Sequence, residues 1–185
     1  MMSPGERIAY PVQGRKPRLS AVLSLFIPDI TGIWSLVLIK RPIYEGFHSE
    51  QIAFPGGKHE EGDISLIHTA LRETTEEIGL NVSVEVLGAL TDIYIPPSNY
   101  LVTPFVAIAK ERQPWYPNSS EVDQVIEMPI NQLLDEQIVS QGSFITGFKK
   151  EVMAPYFALN DYKIWGATAM MLSELKWILK EGISK

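Results

Sequence analysis

The segment from residue 54 to residue 80 joins a chain breaker to a helix with an unusual charge pattern. Pro55-Gly56-Gly57 predicts a sharp turn, because proline lacks a backbone donor and glycine adopts conformations that other residues avoid. Residues 64–78 have helical spacing, with Asp63 as the predicted N-cap and Gly79 as the left-handed residue that ends the helix. A fold for this chain must therefore accommodate a tight turn shortly before a well-delimited helix.

The predicted helix separates apolar from acidic residues. Its apolar stripe consists of Ile64, Ile67, Leu71 and Ile78. Glu73, Glu76 and Glu77 gather on the opposite side, where carboxylates at these spacings repel one another. A solvated acidic face is the ordinary interpretation of such a triplet. Beside a glycine-rich turn, however, the pattern favours a metal–diphosphate site, because Mg²⁺ prefers carboxylate oxygens, water and phosphate as ligands.

Hydrophobic patterns along the rest of the chain predict an α/β fold in one domain. Residues 1–17 are polar and are expected to form an N-terminal arm, and residues 18–185 form the domain. The predicted strands lie at residues 18–27, 33–39, 82–90, 102–109 and 122–128, with a hairpin at 156–164. A short helix at 131–135 and an amphipathic helix at 166–180 complete the prediction, with Met170 and Met171 as core residues.

Composition narrows the classes of function. The formal charge of −6 argues against a partner that is a nucleic-acid duplex, because such binding depends on clustered lysine and arginine. The absence of cysteine removes thiolate nucleophiles and cysteine zinc sites and fits a reducing compartment. No apolar run approaches the roughly 20 residues of a membrane helix. We therefore expect a soluble cytoplasmic protein that acts on a small molecule, and the sequence leaves open whether it forms a homodimer.

The motif around the predicted helix resembles the Nudix box of diphosphate-cleaving hydrolases. The resemblance is carried by Phe54-Pro55-Gly56-Gly57 and by Arg72-Glu73-x-x-Glu76-Glu77-x-Gly79-Leu80. It implies an α/β/α sandwich with a mixed β-sheet, in which the box helix and the C-terminal helix cover opposite sides. It also implies that Mg²⁺ or Mn²⁺ is the cofactor.

The same resemblance implies roles for individual residues. The metal ligands would be the Gly57 carbonyl and the carboxylates of Glu73, Glu76 and Glu77. Glu76 would act directly or through water, and Arg72 would orient the glutamates. Glu121, before a predicted strand, is a candidate metal ligand or catalytic base, with an ordinary solvated glutamate as the alternative. His59 and His68 are expected at the surface.

The spacing within the box points to one branch of the family. The run between Gly57 and Arg72 is one residue longer than in the commonest form, so the acidic spacer position falls on Asp63 or on an acidic neighbour. This longer form is similar to the coenzyme A diphosphatase branch, and the similarity extends over residues 22–175. It implies that Arg41, His48 and Tyr100 contact the substrate.

Four residues depart from that branch near the box. Ile39, Pro42, Gly46 and Glu50 stand where the branch has threonine, serine, arginine and glycine. The missing arginine removes a planar cation suited to phosphate, and Glu50 adds negative charge. Coenzyme A-like compounds are the family expectation, but these departures predict slow cleavage of coenzyme A itself. The alternatives are a Nudix hydrolase of another dinucleotide or nucleotide sugar, and a non-catalytic ligand-binding module.

Overall fold

The computed structural model describes residues 16–42, 51–146, 148 and 150–183. Most of the expected arm at residues 1–17 lies outside the described residues, and so do Gly46, His48 and Glu50. The first half of the domain contains β1 (Arg18–Pro28), β2 (Trp34–Lys40), β3 (Ile52–Ala53), β4 (Gly56–Lys58), α1 (Leu66–Ile78), β5 (Val84–Ala89) and β6 (Ile93–Ile95). The second half contains β7 (Tyr100–Ala109), β8 (Gln124–Pro129), α2 (Ile130–Leu134), a 3₁₀ turn (Glu136–Ile138), β9 (Val139–Ile145), β10 (Glu151–Leu159), β11 (Tyr162–Ile164) and α3 (Gly166–Ile183).

The main sheet is mixed and has β1 at its centre. Its strand order is β3-β2-β1-β7-β5, and β4, β6 and β8 add to β1, β7 and β2 respectively. Strands β1 and β7 run parallel, from the pair Arg18 and Tyr100 to the pair Phe26 and Ile108. The other pairs in this sheet are antiparallel. Strands β9, β10 and β11 form a separate antiparallel sheet.

The central strands are buried on both faces, which explains their nearly continuous apolar sequences. On one face, Leu23 and Leu25 of β1 share a core with Ala70 and Ile78 of α1. On the other face, Phe26 shares a core with residues of β2 and with Leu172 and Leu175 of α3. The predicted α/β/α sandwich with a mixed sheet is therefore confirmed.

The predicted start of the box helix was wrong by two residues. Ser65 is the N-cap, its hydroxyl accepts a hydrogen bond from the His68 N–H at 3.2 Å, and α1 begins at Leu66. Asp63 does not cap the helix because its carboxylate is engaged by other side chains, described below. Ile64 precedes the helix and is 89% exposed, so it does not belong to the apolar stripe.

Other features also differ from the sequence-based expectation. Gly56–Lys58 forms β4 instead of only a turn, because Gly56 has φ +140° and its missing Cβ lets it approach the backbone of Ala21 on β1. Strand β9 was not predicted, since its residues carry no continuous buried run. Among the described residues, no helix combines the length and apolarity needed to cross a membrane.

Candidate active site

One cavity of about 880 Å³ lies where several elements of the sandwich meet. One of its sides is acidic and is built from α1, β4 and the loop before β8. The remaining sides come from the turn between β6 and β7, the start of α3 and the β9–β10 hairpin. Residues that line these sides include Pro96, Pro97, Tyr100, Phe148, Trp165 and Met170. The volume suits a small-molecule ligand.

Gly57 brings the β4 backbone directly against a carboxylate of α1. A Cβ at this position would overlap the carboxylate of Glu73, so glycine is required for the close approach. The Gly57 carbonyl accepts a hydrogen bond from the Ser20 hydroxyl at 2.6 Å. Gly57, Ser20 and Glu73 all line the cavity, so the backbone of β4 and a side chain of α1 border the same space.

Glu77 is the most deeply buried carboxylate of the acidic side. Its side chain is only 3% exposed. Its Oε2 accepts a hydrogen bond from the Gly56 N–H at 2.8 Å, and its Oε1 lies 3.7 Å from Nη2 of Arg41. Burial raises the pKa of Glu77 from 4.5 to about 7, although Arg41 and the Gly56 N–H act in the opposite direction.

Negative charges reinforce one another across this side of the cavity. Burial raises the pKa of Glu73, and the charges of Glu76 and Glu121 raise it further. The charges of Glu73 and Glu121 also raise the pKa of Glu77. Glu121 is itself exposed and lines the cavity. Glu73, Glu77 and Glu121 therefore line one cavity with like charges, and a bound cation would relieve their repulsion.

These groups fit a hard divalent cation by donor type. Carboxylate oxygens and a backbone carbonyl are the ligands that Mg²⁺ and Mn²⁺ take. Within the described ranges, no group of three or more aspartate, glutamate or histidine side chains is already arranged to hold a metal ion. The fit therefore rests on the chemistry of the donors and on the desolvated charge of Glu77.

Glu76 and Arg72 do not line the cavity, although both lie on α1 close to Glu73. The Glu76 side chain is 54% exposed and accepts a hydrogen bond from Nη1 of Arg72 at 2.9 Å. Arg72 also donates to Oε1 of Glu73 at 3.0 Å, and its Nε and Nη2 donate to the two carboxylate oxygens of Asp63 at 2.9 and 3.0 Å. Arg72 thus links the cavity residue Glu73 to a buried aspartate.

Asp63 anchors this network, whereas the sequence predicted it as the helix cap and as one candidate for the acidic spacer position of the box. Its carboxylate accepts hydrogen bonds from the Thr69 hydroxyl at 2.8 Å and from the Glu60 N–H at 3.0 Å. The Arg72 guanidinium holds the pKa of Asp63 well below its usual range. His68 is exposed as predicted, with Nδ1 3.1 Å from Asp63, but His59 is partly buried, with Nδ1 2.9 Å from the Thr69 hydroxyl.

Two of the three residues expected to contact substrate lie at the cavity. Arg41 and Tyr100 line the cavity, whereas His48 lies outside the described residues. The Arg18 guanidinium lies 4.3 Å from the centre of the Tyr100 ring, an arrangement typical of a cation–π contact. Of the departures from the coenzyme A branch, Ile39 is fully buried in the core, and Pro42 lines the cavity.

Much of the apolar lining was not identified from the sequence. Met171 is buried in the core as predicted, yet both Met170 and Met171 also line the cavity. Trp165, Phe148 and Lys150 come from segments distant in sequence from the box. No local motif marks them, because only the packing of α3 and of the β9–β10 hairpin brings them to the site.

The sequence is similar to proteins of one known family. The sequence matches the NUDIX domain over residues 17–147. It is 35% identical over 170 residues to the human "Mitochondrial coenzyme A diphosphatase NUDT8", covering 90% of this chain and 72% of that protein. It is 36% identical over 143 residues to the "Uncharacterized Nudix hydrolase NudL" of Yersinia pestis, covering 76% of this chain and 70% of that protein.

A solved structure is similar in fold. The Nudix hydrolase RenU from M. smegmatis matches with a TM-score of 0.62 and 16% identity, covering 89% of this chain and 87% of that chain. At this level of identity the similarity concerns the fold alone.

Proposed function

The chain belongs to the Nudix hydrolase family, and we propose that it uses Mg²⁺ or Mn²⁺ to hydrolyse a diphosphate linkage in a small nucleoside-diphosphate-type substrate. The observation that carries the proposal is the acidic side of the cavity. There the buried carboxylate of Glu77 faces the same space as Glu73, Glu121 and the backbone of Gly57. A diphosphate is an anion, so it needs a cation between itself and these carboxylates.

We assign metal binding to the Gly57 carbonyl and to the carboxylates of Glu73, Glu76 and Glu77. When bound, the cation neutralises charge on the diphosphate and lowers the pKa of a coordinated water. Glu73 and Glu77 supply oxygens inside the cavity. Glu76, whose carboxylate faces Arg72, would contribute through water or after a side-chain rearrangement. The Arg72 and Asp63 pair restrains Glu73 by hydrogen bonding.

Glu121 is the better-supported candidate for the catalytic base. It lines the cavity, whereas Glu76 lies outside the cavity and is paired with Arg72. In this role its carboxylate would accept a proton from the water that attacks phosphorus. Arg72 acts on the reaction only by orienting glutamates.

Substrate recognition is assigned to Arg41 and Tyr100, with His48 as a further proposed contact. Arg41 offers a fork of donors to phosphate oxygens, and Tyr100 offers an aromatic surface to a base. The human relative is named a coenzyme A diphosphatase, which supports coenzyme A-like compounds as the first class to test. Gly46 and Glu50 still predict that coenzyme A itself is cleaved more slowly than another dinucleotide or nucleotide sugar.

The setting of the enzyme is proposed from its sequence. A cytoplasmic location is proposed because the chain contains no cysteine and suits a reducing compartment. A small-molecule substrate is proposed over a nucleic-acid duplex because the net charge is −6. A homodimer is an alternative to the monomer, and light scattering distinguishes the two.

The test is a panel of diphosphate compounds, with coenzyme A, dinucleotides and nucleotide sugars, assayed with Mg²⁺ or Mn²⁺ by product mass. Glu77→Gln should lower the specificity constant by about 100-fold or more, because the amide cannot supply the charge that holds the cation. Glu85→Gln is the matched control, since Glu85 is an exposed residue of β5 paired with Lys110. Near-normal turnover by Glu77→Gln would contradict the proposal.

A further inference from the structure

Arg41 lies at the edge of the acidic side and faces its most buried carboxylate. It follows β2 directly, and its backbone N–H donates to the Gln51 carbonyl at 3.1 Å, which holds the main chain beside β3. The side chain is 28% exposed and lines the cavity. The side chain is therefore anchored at its backbone, while its guanidinium borders the space available to a ligand.

The two oxygens of Glu77 have different environments. Oε2 accepts a hydrogen bond from the Gly56 N–H, whereas Oε1 lies 3.7 Å from Nη2 of Arg41. That separation exceeds hydrogen-bond length, so the pair is held by Coulomb attraction and not by a directional bond. Arg41 can leave Oε1 without breaking a hydrogen bond to it.

Neighbouring lysines are engaged by other acids. Lys58 lies 3.0 Å from Glu60, and Lys40 forms an ion pair with Asp123 at 2.6 Å. Within the described part of the chain, Arg41 is the cation that pairs with Glu77.

We propose that Arg41 serves as the counter-ion of Glu77 in the metal-free protein and is released to the substrate diphosphate when a divalent cation binds, so that metal binds before substrate. This inference rests on the proposed function. Its physical basis is that a divalent cation at Glu77 repels a guanidinium a few ångströms away. The same guanidinium, once released, suits two phosphate oxygens.

The order of binding follows from charge. Without metal, Glu73, Glu77 and Glu121 repel a diphosphate, and Arg41 is held by Glu77. With metal, the charge of the carboxylates would be neutralised and Arg41 would be repelled from Glu77. Both changes would favour binding of the diphosphate. Arg41 therefore weakens metal binding and strengthens substrate binding.

Calorimetry of Mn²⁺ binding without substrate tests the proposal that Arg41 weakens metal binding. The titration is run at about pH 8.5, above the pKa of Glu77, so that proton release contributes little. Arg41→Gln should bind Mn²⁺ about tenfold more tightly than wild type, because the competing cation is gone. Arg112→Gln is the control, since it removes the same charge from an ion pair with Glu127 on β8, and it should bind Mn²⁺ as wild type does.

Binding of a methylene-bridged nucleoside diphosphate with saturating Mn²⁺ tests the proposal that Arg41 strengthens substrate binding. Arg41→Gln should weaken this ligand by roughly tenfold to a hundredfold, the usual cost of a lost charge-assisted hydrogen bond. Arg41→Lys keeps the charge but not the fork, so it should bind Mn²⁺ as wild type does and the analogue more weakly. In Arg41→Gln, tighter binding of Mn²⁺ together with weaker binding of the analogue would distinguish the proposal from a purely structural role of Arg41.

The inference is overturned if Arg41→Gln binds Mn²⁺ no more tightly than wild type. If Arg41→Gln does not fold, the inference is overturned when Arg41→Lys binds the analogue as tightly as wild type does. Loss of Mn²⁺ binding in Glu77→Gln would leave the proposed function standing in either case. If wild type itself binds no Mn²⁺ with or without the analogue, both the inference and the proposed function fail.

Discussion

Glu76 and Glu77 are neighbours in α1 with opposite surroundings. The Glu76 side chain is 54% exposed and paired with Arg72, whereas the Glu77 side chain is 3% exposed and accepts a hydrogen bond from the Gly56 backbone. The difference arises because β4 lies over only one side of α1. Glu77 is therefore the residue whose charge is least favourable in the folded protein, and its pKa is the most sensitive probe of the site.

The raised pKa of Glu77 predicts the pH dependence of stability in metal-free protein. Between the ordinary pKa of 4.5 and the folded-state pKa of about 7, the folded protein binds more protons at Glu77 than the unfolded chain does. The Glu77 contribution is therefore fully present below about pH 4.5 and declines as pH rises to about 7. The expected decline is about 3 kcal/mol, or about 6 to 12 °C in melting temperature.

Thermal melting in the presence of a chelator, from about pH 4.5 to about pH 8, measures this decline. Glu77→Gln cannot titrate, so its melting temperature should rise relative to wild type across that range. Glu85→Gln should follow the wild-type curve. Parallel curves for wild type and Glu77→Gln would show that burial does not perturb Glu77 as inferred.

At the scale of elements, two adjacent glycines in β4 have separate tasks. Gly56 has positive φ and would place a Cβ against the backbone of Ala21, so it fits β4 onto β1. Gly57 would place a Cβ against the carboxylate of Glu73, so it fits β4 onto α1. The backbone of Ala21 cannot move easily to make room for a Cβ at Gly56, but the end of the Glu73 side chain can move to make room for one at Gly57.

Alanine substitutions should therefore have different effects at these two positions. Gly56→Ala should lower the free energy of unfolding by about 1 to 3 kcal/mol, through strain at its backbone angle and the overlap with β1. Gly57→Ala should fold with a loss below about 1 kcal/mol but displace Glu73 and weaken Mn²⁺ binding. Chemical unfolding and calorimetry measure the two properties.

Gly62→Ala is the control for both substitutions, since nothing lies within 4 Å of a Cβ at that position. It should leave stability and Mn²⁺ affinity unchanged. If Gly57→Ala bound Mn²⁺ normally, the close approach of β4 to Glu73 would have no part in metal binding.

For the whole molecule, the two-faced sheet creates a rigid support with a cavity at its margin. The cores beneath α1 and α3 bury opposite faces of β1, β2 and β7. Segments distant in sequence then meet around the acidic side of the cavity. A ligand that neutralises this side should stabilise the entire folded domain, because the charges repel only when folding brings them together.

Saturating Mg²⁺ is accordingly expected to raise the melting temperature of wild type. At about 100 times the dissociation constant, binding to the folded state adds about 2.7 kcal/mol, or about 5 to 11 °C for a domain of this size. Glu77→Gln should lose most of this increase, while Glu85→Gln should retain it. An unchanged melting temperature in wild type, both with Mg²⁺ alone and with Mg²⁺ and a diphosphate ligand, would remove the support for a metal site.

Short-range information in the sequence sufficed for the family, the sandwich fold and the acidic helix. The Nudix resemblance is confirmed by the domain match over residues 17–147. Helical periodicity placed the glutamates on one helix, because side-chain direction repeats with the backbone. The site roles assigned to those glutamates and to Glu121 stay predictions.

Tertiary packing decided what periodicity cannot encode. It buried Glu77 while leaving Glu76 exposed, turned Asp63 from an expected cap into the partner of Arg72, and set Arg41 beside Glu77. Burial of Glu77 and its pairing with Arg41 depend on contacts between segments far apart in sequence. The Asp63–Arg72 pair joins residues only nine apart and depends on the course of the loop that leads into α1. Burial and charge pairing are properties of that assembled environment, so they determine pKa and ligand order only after the chain has folded.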